Sequence, residues 1–386
     1  MRVAYYSPLP PQRSGITDYS ALLLPALRRR LEIVTARPWR RRLRADVALY
    51  QVGNNPEAHG WIYDSLRRRP GLVVLHEVAL HSLIAGLTLG RGDRDAYLAA
   101  VERDAGANGR AVAERSLAGL EPPIWETSAA EIPLVSEVLD FAEAVVVHSH
   151  YAERKVRETG YDRPVHRIAH PAWSATPEPL ALPRRGAPVI GVLGKVNWTK
   201  RIPQVLRAFD RVRKTLPDAL LVIAGEGSRS DYVRLRLEAL GLEEGRHVLL
   251  LDYVGETQFH ALAARCDICV SLRAPTLGET SGSAIAALAA GTPLVVSDIG
   301  WFAELPSSVA AKVPVDAWEV DHLAALLELL ASDEQLRTRM GEAGLAYART
   351  ELDLERSADS YATALRELAE GRVDEPAVKG KWTAQA

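Results

Sequence analysis

Two lysines close together in the second half of the chain are the first candidates for chemistry. Lysine is scarce, at 7 of the 47 basic residues, and Lys195 and Lys200 both lie in the segment GKVNWTKR that follows an apolar run. Cations in a loop between a strand and a helix can bind phosphate. The GxxxxGK[ST] and GxGxxG orders are both missing, so this is neither a P-loop nor a dinucleotide fingerprint. We predict an anion site at these lysines; solvated surface lysines are the alternative.

A second candidate is the segment RAPTLGETSGSAIAALAAG, which follows a later apolar run. Its small residues Ser281, Gly282 and Ser283 open a predicted helix that runs to Gly291 and leave backbone N–H groups accessible. Those groups and the helix dipole favour an anion. Glu279 stands just before them, where we predict that it accepts hydrogen bonds from sugar hydroxyls. A stabilising charge at a helix N-terminus is the alternative.

Polar residues also follow strands in the first half of the chain. The loop SPLPPQRSG ends at Gly15, where a helix N-terminus can face an anion. His76 stands at a strand end, the position where α/β proteins bind ligands. We predict that it contacts a substrate hydroxyl; a hydrogen-bonded structural histidine is the alternative. His81 is five residues further on, a spacing that argues against a metal pair.

Three further features favour structural interpretations. Cys266 and Cys269 form a CxxC in an apolar stretch, and we interpret them as small core residues rather than a redox pair or half of a zinc site. The DxD pair Asp93 and Asp95 lies in a helical stretch rather than after a strand, which argues against a metal-dependent sugar site. For Trp301 we predict one of two roles: it covers a bound sugar or nucleotide, or it fills the core.

The elements that must position these residues alternate along the chain. Short apolar runs predict strands, and apolar residues at spacings of three and four predict helices. The predicted strands are Val3–Tyr6, Ile33–Ala36, Val47–Val52, Leu72–Leu75, Ala144–Val147, Val189–Leu193, Ala219–Ala224, His247–Leu251, Ile268–Leu272, Pro293–Ser297 and Ala310–Val313. Thr17 is predicted to cap the first helix, and Ile202–Lys214 to form a later one. The alternation predicts parallel sheets covered on both faces.

Length and composition exclude several classes of protein. The 386 residues, 47% hydrophobic and 25% charged, suit two or more folded domains. The net charge of −2 gives no argument for a nucleic-acid partner. The first residues lack the apolar core of a signal peptide, and no apolar run approaches roughly 18 residues. We therefore expect a cytoplasmic protein.

Together the segments resemble glycosyltransferase family 4. GKVNWTKR before a helix, IAGEGS, GETSGSAIAALAAGTPLVVSD and GWFAELP carry the resemblance, which is strongest from Val189 to Pro306. It implies an α/β fold of the GT-B type, with two Rossmann-like doubly wound parallel-sheet domains facing a cleft. It also implies a retaining transferase that moves a sugar from a nucleotide-diphosphate sugar to a glycan, lipid-linked or small-molecule acceptor, without metal or cofactor.

The resemblance also implies a domain plan. The expected parts are an acceptor-side domain at 1–171, a Pro-rich linker at 172–188, a nucleotide-sugar-binding domain at 189–350, a C-terminal helix at 351–371 that packs back on the first domain, and a loose tail at 372–386. Closure about the linker would exclude water from the reaction.

Site residues follow from the resemblance and from the strand ends. Those expected at the donor diphosphate are Gly15, Lys195, Lys200, Ser281, Gly282 and Ser283. Glu279 and Thr280 are expected to bind the transferred sugar, and His76 and Glu279 to carry the catalytic roles. Tyr253, Val254 and Glu304 are expected to bind the nucleoside. The family pattern E-x7-E is broken, because Ala287, or Ala286 in an alignment one residue shorter, stands where a ribose-binding Glu is usual.

The acceptor should bind to the first domain, which is rich in arginine. Arginines cluster at 28–30, 37–44 and 67–69, the second cluster with a tryptophan. Such clusters could contact an anionic membrane surface or a lipid-linked acceptor; solvated helix ends are the alternative. A non-catalytic nucleotide-sugar or glycan-binding protein and a nucleotide-sugar epimerase on the same fold are the rival functions.

Overall fold

The structure is a computed structural model that describes residues 1–173, 182 and 188–374. Most of the predicted linker at 172–188 and of the predicted tail at 372–386 lies outside the described residues. The chain divides into two compact units. Unit 1 comprises Met1–Val147, Val156–Ile168 and the segment that begins at Glu355; unit 2 comprises His148–Lys155 and Ala169–Leu354.

Unit 1 is built on a six-stranded parallel sheet in the order β2-β1-β3-β4-β5-β6. Its strands are Arg2–Tyr6 (β1), Glu32–Thr35 (β2), Val47–Val52 (β3), Gly71–Leu75 (β4), Ala142–Val147 (β5) and Val165–Arg167 (β6). The helices of this part of the chain are Gly15–Arg28 (α1), Pro56–Arg68 (α2), His81–Thr88 (α3), Arg94–Leu117 (α4), Ile124–Thr127 (α5), Ser136–Leu139 (α6) and His150–Glu158 (α7). A short 3₁₀ turn covers Leu89–Arg91.

Unit 2 contains a second six-stranded parallel sheet in the order β12-β11-β10-β7-β8-β9. Its strands are Val189–Leu193 (β7), Leu220–Ala224 (β8), Val248–Leu251 (β9), Ile268–Ser271 (β10), Leu294–Ser297 (β11) and Ala310–Val313 (β12). The helices of the remaining part of the chain are Ile202–Thr215 (α8), Asp231–Ala239 (α9), Glu256–Arg265 (α10), Gly282–Ala289 (α11), Gly300–Glu304 (α12), Glu319–Ser332 (α13), Glu334–Thr350 (α14) and Leu354–Asp374 (α15). All but the last of them lie in unit 2, and α15 lies in unit 1 from Glu355 onward. A 3₁₀ turn covers Trp198–Lys200. In the described part of the chain, no helix has both the length and the apolar character needed to cross a membrane.

The predicted α/β class with two parallel sheets is confirmed. The strands β3, β7 and β12 have the predicted bounds, and the other predicted strands agree within two residues. The prediction missed β6, because Val165, His166 and Arg167 form no apolar run and lie at the edge of the sheet, only half buried or exposed. An edge strand can form without buried side chains on both faces, so a short one with polar residues, such as β6, gives no hydrophobic pattern.

Local sequence explains where the helices begin. The apolar face predicted for α8, which includes Ile202, Val205 and Phe209, is fully buried. The cap predicted for α1 was wrong by three residues. Ser14 is the N-cap, with extended backbone, and its Oγ accepts a 3.1 Å hydrogen bond from the backbone N of Thr17. A serine oxygen in that position satisfies an otherwise unpaired helix donor.

The last helix, α15, packs against the first helix within unit 1. The buried hydroxyls of Tyr19 and Tyr361 lie 2.7 Å apart. On the surface, Arg30 contacts Glu355 at 2.9 Å and Asp359 at 2.6 Å. Although Tyr19 and Tyr361 are 342 positions apart in sequence, they share one hydrogen bond in unit 1.

Close backbone packing fixes the helix α11 in unit 2. All of its central residues are buried, and α14 lies against it. A Cβ atom added to Gly341 of α14 would lie 2.2 Å from the carbonyl oxygen of Gly291, which follows α11. Neither backbone segment could retreat from such a contact without unpacking the core. Gly341 therefore sets how closely α14 approaches the end of α11.

We expect Gly341→Ala to destabilise the unit by about 1–3 kcal/mol, because overpacking against backbone outweighs the higher helix propensity of alanine. Thermal unfolding followed by circular dichroism checks this. Gly90→Ala is the matched control, since a Cβ on Gly90 meets no atom within 4 Å. Equal melting temperatures for the two variants would contradict the packing argument.

Candidate functional site

Two loops of unit 2 touch each other at Gly194, directly after β7. A Cβ atom on Gly225 would lie 2.4 Å from the carbonyl oxygen of Gly194, so the two loops meet backbone to backbone. Gly225 has a φ of 144° and Gly194 one of 95°, which favours glycine at both positions. A Cβ on Gly194 would lie 2.8 Å from Lys200 Nζ and 3.7 Å from Ser283 Oγ. Lys200 and Ser283, near the start of α11, therefore both lie close to Gly194.

Lys200 is a buried cation at this point. Its Nζ donates a 2.6 Å hydrogen bond to the carbonyl oxygen of Leu193. Burial and, to a lesser extent, the charge of Arg273 lower the pKa of Lys200 to about 7, while the charge of Glu279 opposes the shift. An ammonium with so little solvation is stabilised by any anion that reaches it. The sequence-based phosphate assignment of Lys200 remains a prediction, now with a location that suits it.

Lys195 lies in the same loop but has a different environment. Its side chain is 65% exposed, and its Nζ contacts Glu226 of the Gly-Glu-Gly loop at 3.0 Å. Such an exposed pair contributes little to stability. Of the two predicted lysines, Lys200 is therefore the one that the fold holds in place.

Glu279 is held by a cation that the sequence analysis overlooked. Nε of Arg273 lies 2.7 Å from Glu279 Oε1, and the two side chains are only 10% and 18% exposed. The other carboxylate oxygen accepts a 2.7 Å hydrogen bond from the backbone N of Leu277. Arg273 also donates to Thr199 Oγ1 at 3.0 Å, which ties it to the loop of Lys200. One signal was available: Arg273 is a charged residue two positions beyond a buried strand.

The N-terminus of α11 supplies hydroxyls and backbone donors. Ser281 is the N-cap, and its Oγ accepts a 3.3 Å hydrogen bond from the backbone N of Ala284. Its Oγ also lies 3.0 Å from Ser283 Oγ. The hydroxyl of Thr280 is buried and has no hydrogen-bond partner among the described residues. Buried hydroxyls are usually paired, so the unpaired hydroxyl of Thr280 is an exception to the rule.

The predicted nucleoside residues are less well supported. Tyr253 and Val254 follow β9, with Tyr253 50% exposed and Val254 packed partly on the core. Glu304 has a structural role in this arrangement: its carboxylate oxygens accept hydrogen bonds from the backbone N of His150, at 3.0 Å, and of Tyr151, at 2.6 Å. It therefore caps α7, and this use of both oxygens argues against the ribose role predicted for it.

In unit 1, His76 is held by a buried glutamine. Its Nε2 lies 2.7 Å from Oε1 of Gln51, which is fully buried on β3, and the ring of Tyr19 packs edge-on with centroids 4.7 Å apart. Gly15 is the exposed first residue of α1. Gln51 was missed, although a glutamine within the apolar run VALYQV was a usable signal.

The structure shows the environment of several residues for which the sequence left more than one role open. Both ring nitrogens of His81 are engaged, at 2.6 Å to the Ile132 carbonyl oxygen and 2.8 Å to the Tyr97 hydroxyl, and burial lowers its pKa. Asp93 caps α4 by accepting from the backbone N of Ala96 at 2.9 Å. Trp301 is buried in the core. Cys266 and Cys269 are buried free thiols of that same core, as predicted.

The sequence of unit 2 is similar to that of known proteins. Residues 181–346 match the family model described as glycosyl transferases group 1. The matched segment lies within unit 2. A glycogen synthase of Mycobacterium tuberculosis is 31% identical over 181 residues, which are 47% of this chain and 42% of that protein. The chain spans about half the length of the curated relatives it matches.

Solved structures extend the likeness to both units. A sucrose-phosphate synthase from Thermosynechococcus elongatus has a TM-score of 0.65 at 17% identity, covering 96% of this chain and 99% of that one. Alr3699/HepE from Anabaena, in complex with UDP-glucose, has a TM-score of 0.64 at 14% identity, covering 95% and 100%. At these identities the likeness concerns the fold, and it confirms the predicted GT-B class.

We expect Arg273→Gln to destabilise unit 2 by about 2 kcal/mol, because it leaves the half-buried Glu279 carboxylate without its cation. Chemical denaturation of Arg273→Gln, Glu279→Gln and the double variant measures the coupling free energy, which should exceed about 1 kcal/mol. Arg211→Gln removes one partner of an exposed ion pair with Asp321. Its free energy of unfolding should stay within about 0.5 kcal/mol of that of the parent. Additive effects at positions 273 and 279 would contradict the pairing.

The low pKa of Lys200 predicts a rise of stability with pH. Between pH 7 and 9 the unfolded chain keeps this lysine protonated while the folded, ligand-free protein releases the proton, so the free energy of unfolding should increase with pH. Lys200→Met should lose about 1–3 kcal/mol of that increase. Denaturation at both pH values measures it, with exposed Lys214→Met as control. Parallel pH profiles for the parent and Lys200→Met would refute the low pKa.

Proposed function

We propose that the protein is a retaining glycosyltransferase that uses a nucleotide-diphosphate sugar as donor. The observation that carries the proposal is the meeting of Lys200, Ser283 and the start of α11 around Gly194. A buried ammonium beside a helix N-terminus suits a diphosphate, which carries negative charge on several oxygens. The fold neighbour Alr3699/HepE was solved with UDP-glucose. That neighbour supports a nucleotide-sugar donor here.

Charge neutralisation is the main catalytic effect in this proposal. As the bond from sugar to diphosphate breaks, negative charge grows on the leaving phosphate. Lys200, assisted by the exposed Lys195, would stabilise this charge together with the N–H groups of Ser281, Gly282 and Ser283. Because side chains and helix dipole supply the positive charge, we propose that no metal ion is needed.

The sugar would lie beside Glu279 and Thr280. Arg273 neutralises Glu279 and aligns its carboxylate, which removes the repulsion that a lone carboxylate would exert on a diphosphate. The free Thr280 hydroxyl is a ready partner for a sugar hydroxyl. We propose front-face attack by the acceptor hydroxyl. His76 would bind a substrate hydroxyl from unit 1, in the orientation that Gln51 imposes.

The acceptor belongs to a glycan, a lipid or a small molecule in this proposal, and it would bind to unit 1. Lipid-linked acceptors would require contact with a membrane, on its inner face if the protein is cytoplasmic as expected. The arginines of unit 1 are the sequence feature that suggested such contact.

A non-catalytic nucleotide-sugar-binding protein is the second candidate, favoured by one observation. Ala286 and Ala287, at the position of the family's second Glu, are buried and offer no oxygen to a ribose. Glu304, the candidate replacement, caps α7 instead. Binding without turnover would follow if the ribose were too loosely held.

Donor binding should raise the melting temperature, because a ligand that binds only the folded state stabilises it. We expect a UDP-sugar to give the largest shift in a panel of UDP-, GDP-, ADP- and TDP-sugars. Lys200→Gln should weaken binding roughly ten- to a hundredfold, since a charged hydrogen bond is lost. Lys195→Gln should have a smaller effect, and Lys214→Gln none. Equal binding by Lys200→Gln would refute the phosphate assignment.

Release of nucleoside diphosphate separates the two candidate functions. A transferase should release it when an acceptor panel of glycans, lipid-linked sugars and small polyols is added to the bound donor. A binding protein should shift its melting temperature with donor and release none across the panel.

A further inference from the structure

The cationic segment 37–44 of unit 1, here called the arginine turn, projects a tryptophan into solvent. Its backbone reverses between Arg37 and Arg40, whose N and O atoms are 2.9 Å apart in one direction and 3.3 Å in the other. Trp39 lies at the tip and is 83% exposed. An indole so fully exposed at the end of a tight turn has no neighbours to form a core with.

Three exposed arginines follow the tip in sequence. Arg40, Arg42 and Arg44 are exposed, while the alternate residues Arg41 and Leu43 are half buried. Among the described residues, these three arginines have no ion-pair partner. The eight-residue segment has five arginines and no acidic residue, within a chain whose net charge is −2.

The arginine turn is held in this shape from beneath. The Tyr6 hydroxyl donates to the carbonyl oxygen of Arg41 at 2.6 Å. Arg69 donates to the carbonyl oxygen of Leu43 at 3.0 Å and also to that of Ala45. Arg41 donates from Nε to the carbonyl oxygen of Pro38 at 2.7 Å. A pre-ordered loop loses little conformational entropy when it binds a partner.

The other two arginine clusters of unit 1 are largely used within the fold. Arg29 and Arg30 pair with acidic residues of α15. Arg67 stacks over the rings of Tyr63 and Phe141 at 5.9 and 5.7 Å. Arg69 supports the arginine turn, as described above. Arg40, Arg42 and Arg44 are therefore the exposed arginines of the three clusters that lie close in sequence to an exposed aromatic residue.

We propose that the arginine turn docks the protein on an anionic lipid surface. Tryptophan prefers the headgroup level of a bilayer, where its apolar ring and its N–H are both satisfied. Basic residues nearby are attracted to anionic lipids, by about 1 kcal/mol each and so roughly fivefold in affinity. A projecting tip suits a deformable, flat partner better than a soluble glycan, which is usually bound in a concave site. This inference does not depend on sugar transfer.

Co-sedimentation with large vesicles tests the proposal on the full chain. Vesicles of phosphatidylcholine with about 40% phosphatidylglycerol should bind the protein, and pure phosphatidylcholine vesicles should not. Binding should fall steeply in about 0.5 M NaCl, because salt screens exposed charges. The variant R40Q/R42Q/R44Q should bind about a hundredfold more weakly, and Trp39→Ala about tenfold more weakly.

Matched control variants distinguish an effect of the arginine turn from an effect of the protein's total charge or exposed apolar area. R207Q/R234Q/R339Q removes three exposed charges from unit 2, and Trp318→Ala removes an exposed tryptophan there; neither should alter vesicle binding. UDP-sugar thermal shifts, measured on every variant, show whether the donor site is intact. Equal loss in the control variants would overturn the proposal. So would the absence of vesicle binding, including the case in which polyphosphate binds the arginine turn in solution.

Discussion

The burial of one ammonium group organises the candidate site. Lys200 is buried beside Gly194 and near the charge of Arg273, and among the described residues its Nζ has one hydrogen-bond acceptor, the carbonyl oxygen of Leu193. A cation so placed loses hydration and is repelled by its neighbour, so the ligand-free protein holds it at a free-energy cost. An anion at this point removes that cost. The site therefore gains more from a bound diphosphate than an exposed lysine such as Lys195 would.

Glycine makes this placement possible. Gly194 lacks the side chain that would occupy the space of Lys200 Nζ, and Gly225 allows the neighbouring loop to contact it. Glu279 then needs its own cation, because a carboxylate near a phosphate site would otherwise repel the ligand. Arg273 supplies it, and through Thr199 also links the two halves of the site. The loops that follow β7, β8 and β10, the last of which ends at the α11 cap, are thus linked by these charges.

The arginines of unit 1 serve two different purposes. Arg29 and Arg30, just after α1, hold the C-terminal helix by ion pairs, and Arg69 holds a loop by donating to backbone carbonyl groups. The arginines of the arginine turn are left in solvent beside an exposed tryptophan. Composition cannot distinguish these uses, since both appear as local runs of the same residue. The partners that distinguish them, Glu355 and Asp359, are more than 300 positions away.

Much of the architecture follows from the sequence alone. Strands buried on both faces, such as β3 and β7, must be continuous apolar runs, and chain alternation then requires parallel sheets. The scarcity of lysine and the small residues before α11 also marked the loops that meet at Gly194. The half-exposed β6, the Ser14 cap, Arg273 and Gln51 were missed, because their importance lies in a partner and not in a pattern.

The sequence by itself thus determined the two α/β halves and the segments that could bind an anion, because burial and turn chemistry act through neighbours in the chain. Only the tertiary structure decided which charges are paired. It buried Lys200 and left Lys195 in solvent, gave Glu279 its arginine, and used Glu304 to cap α7. The physical reason is that an ionisable group's role depends on solvation and on charges within a few ångströms, and folding brings those together from distant positions.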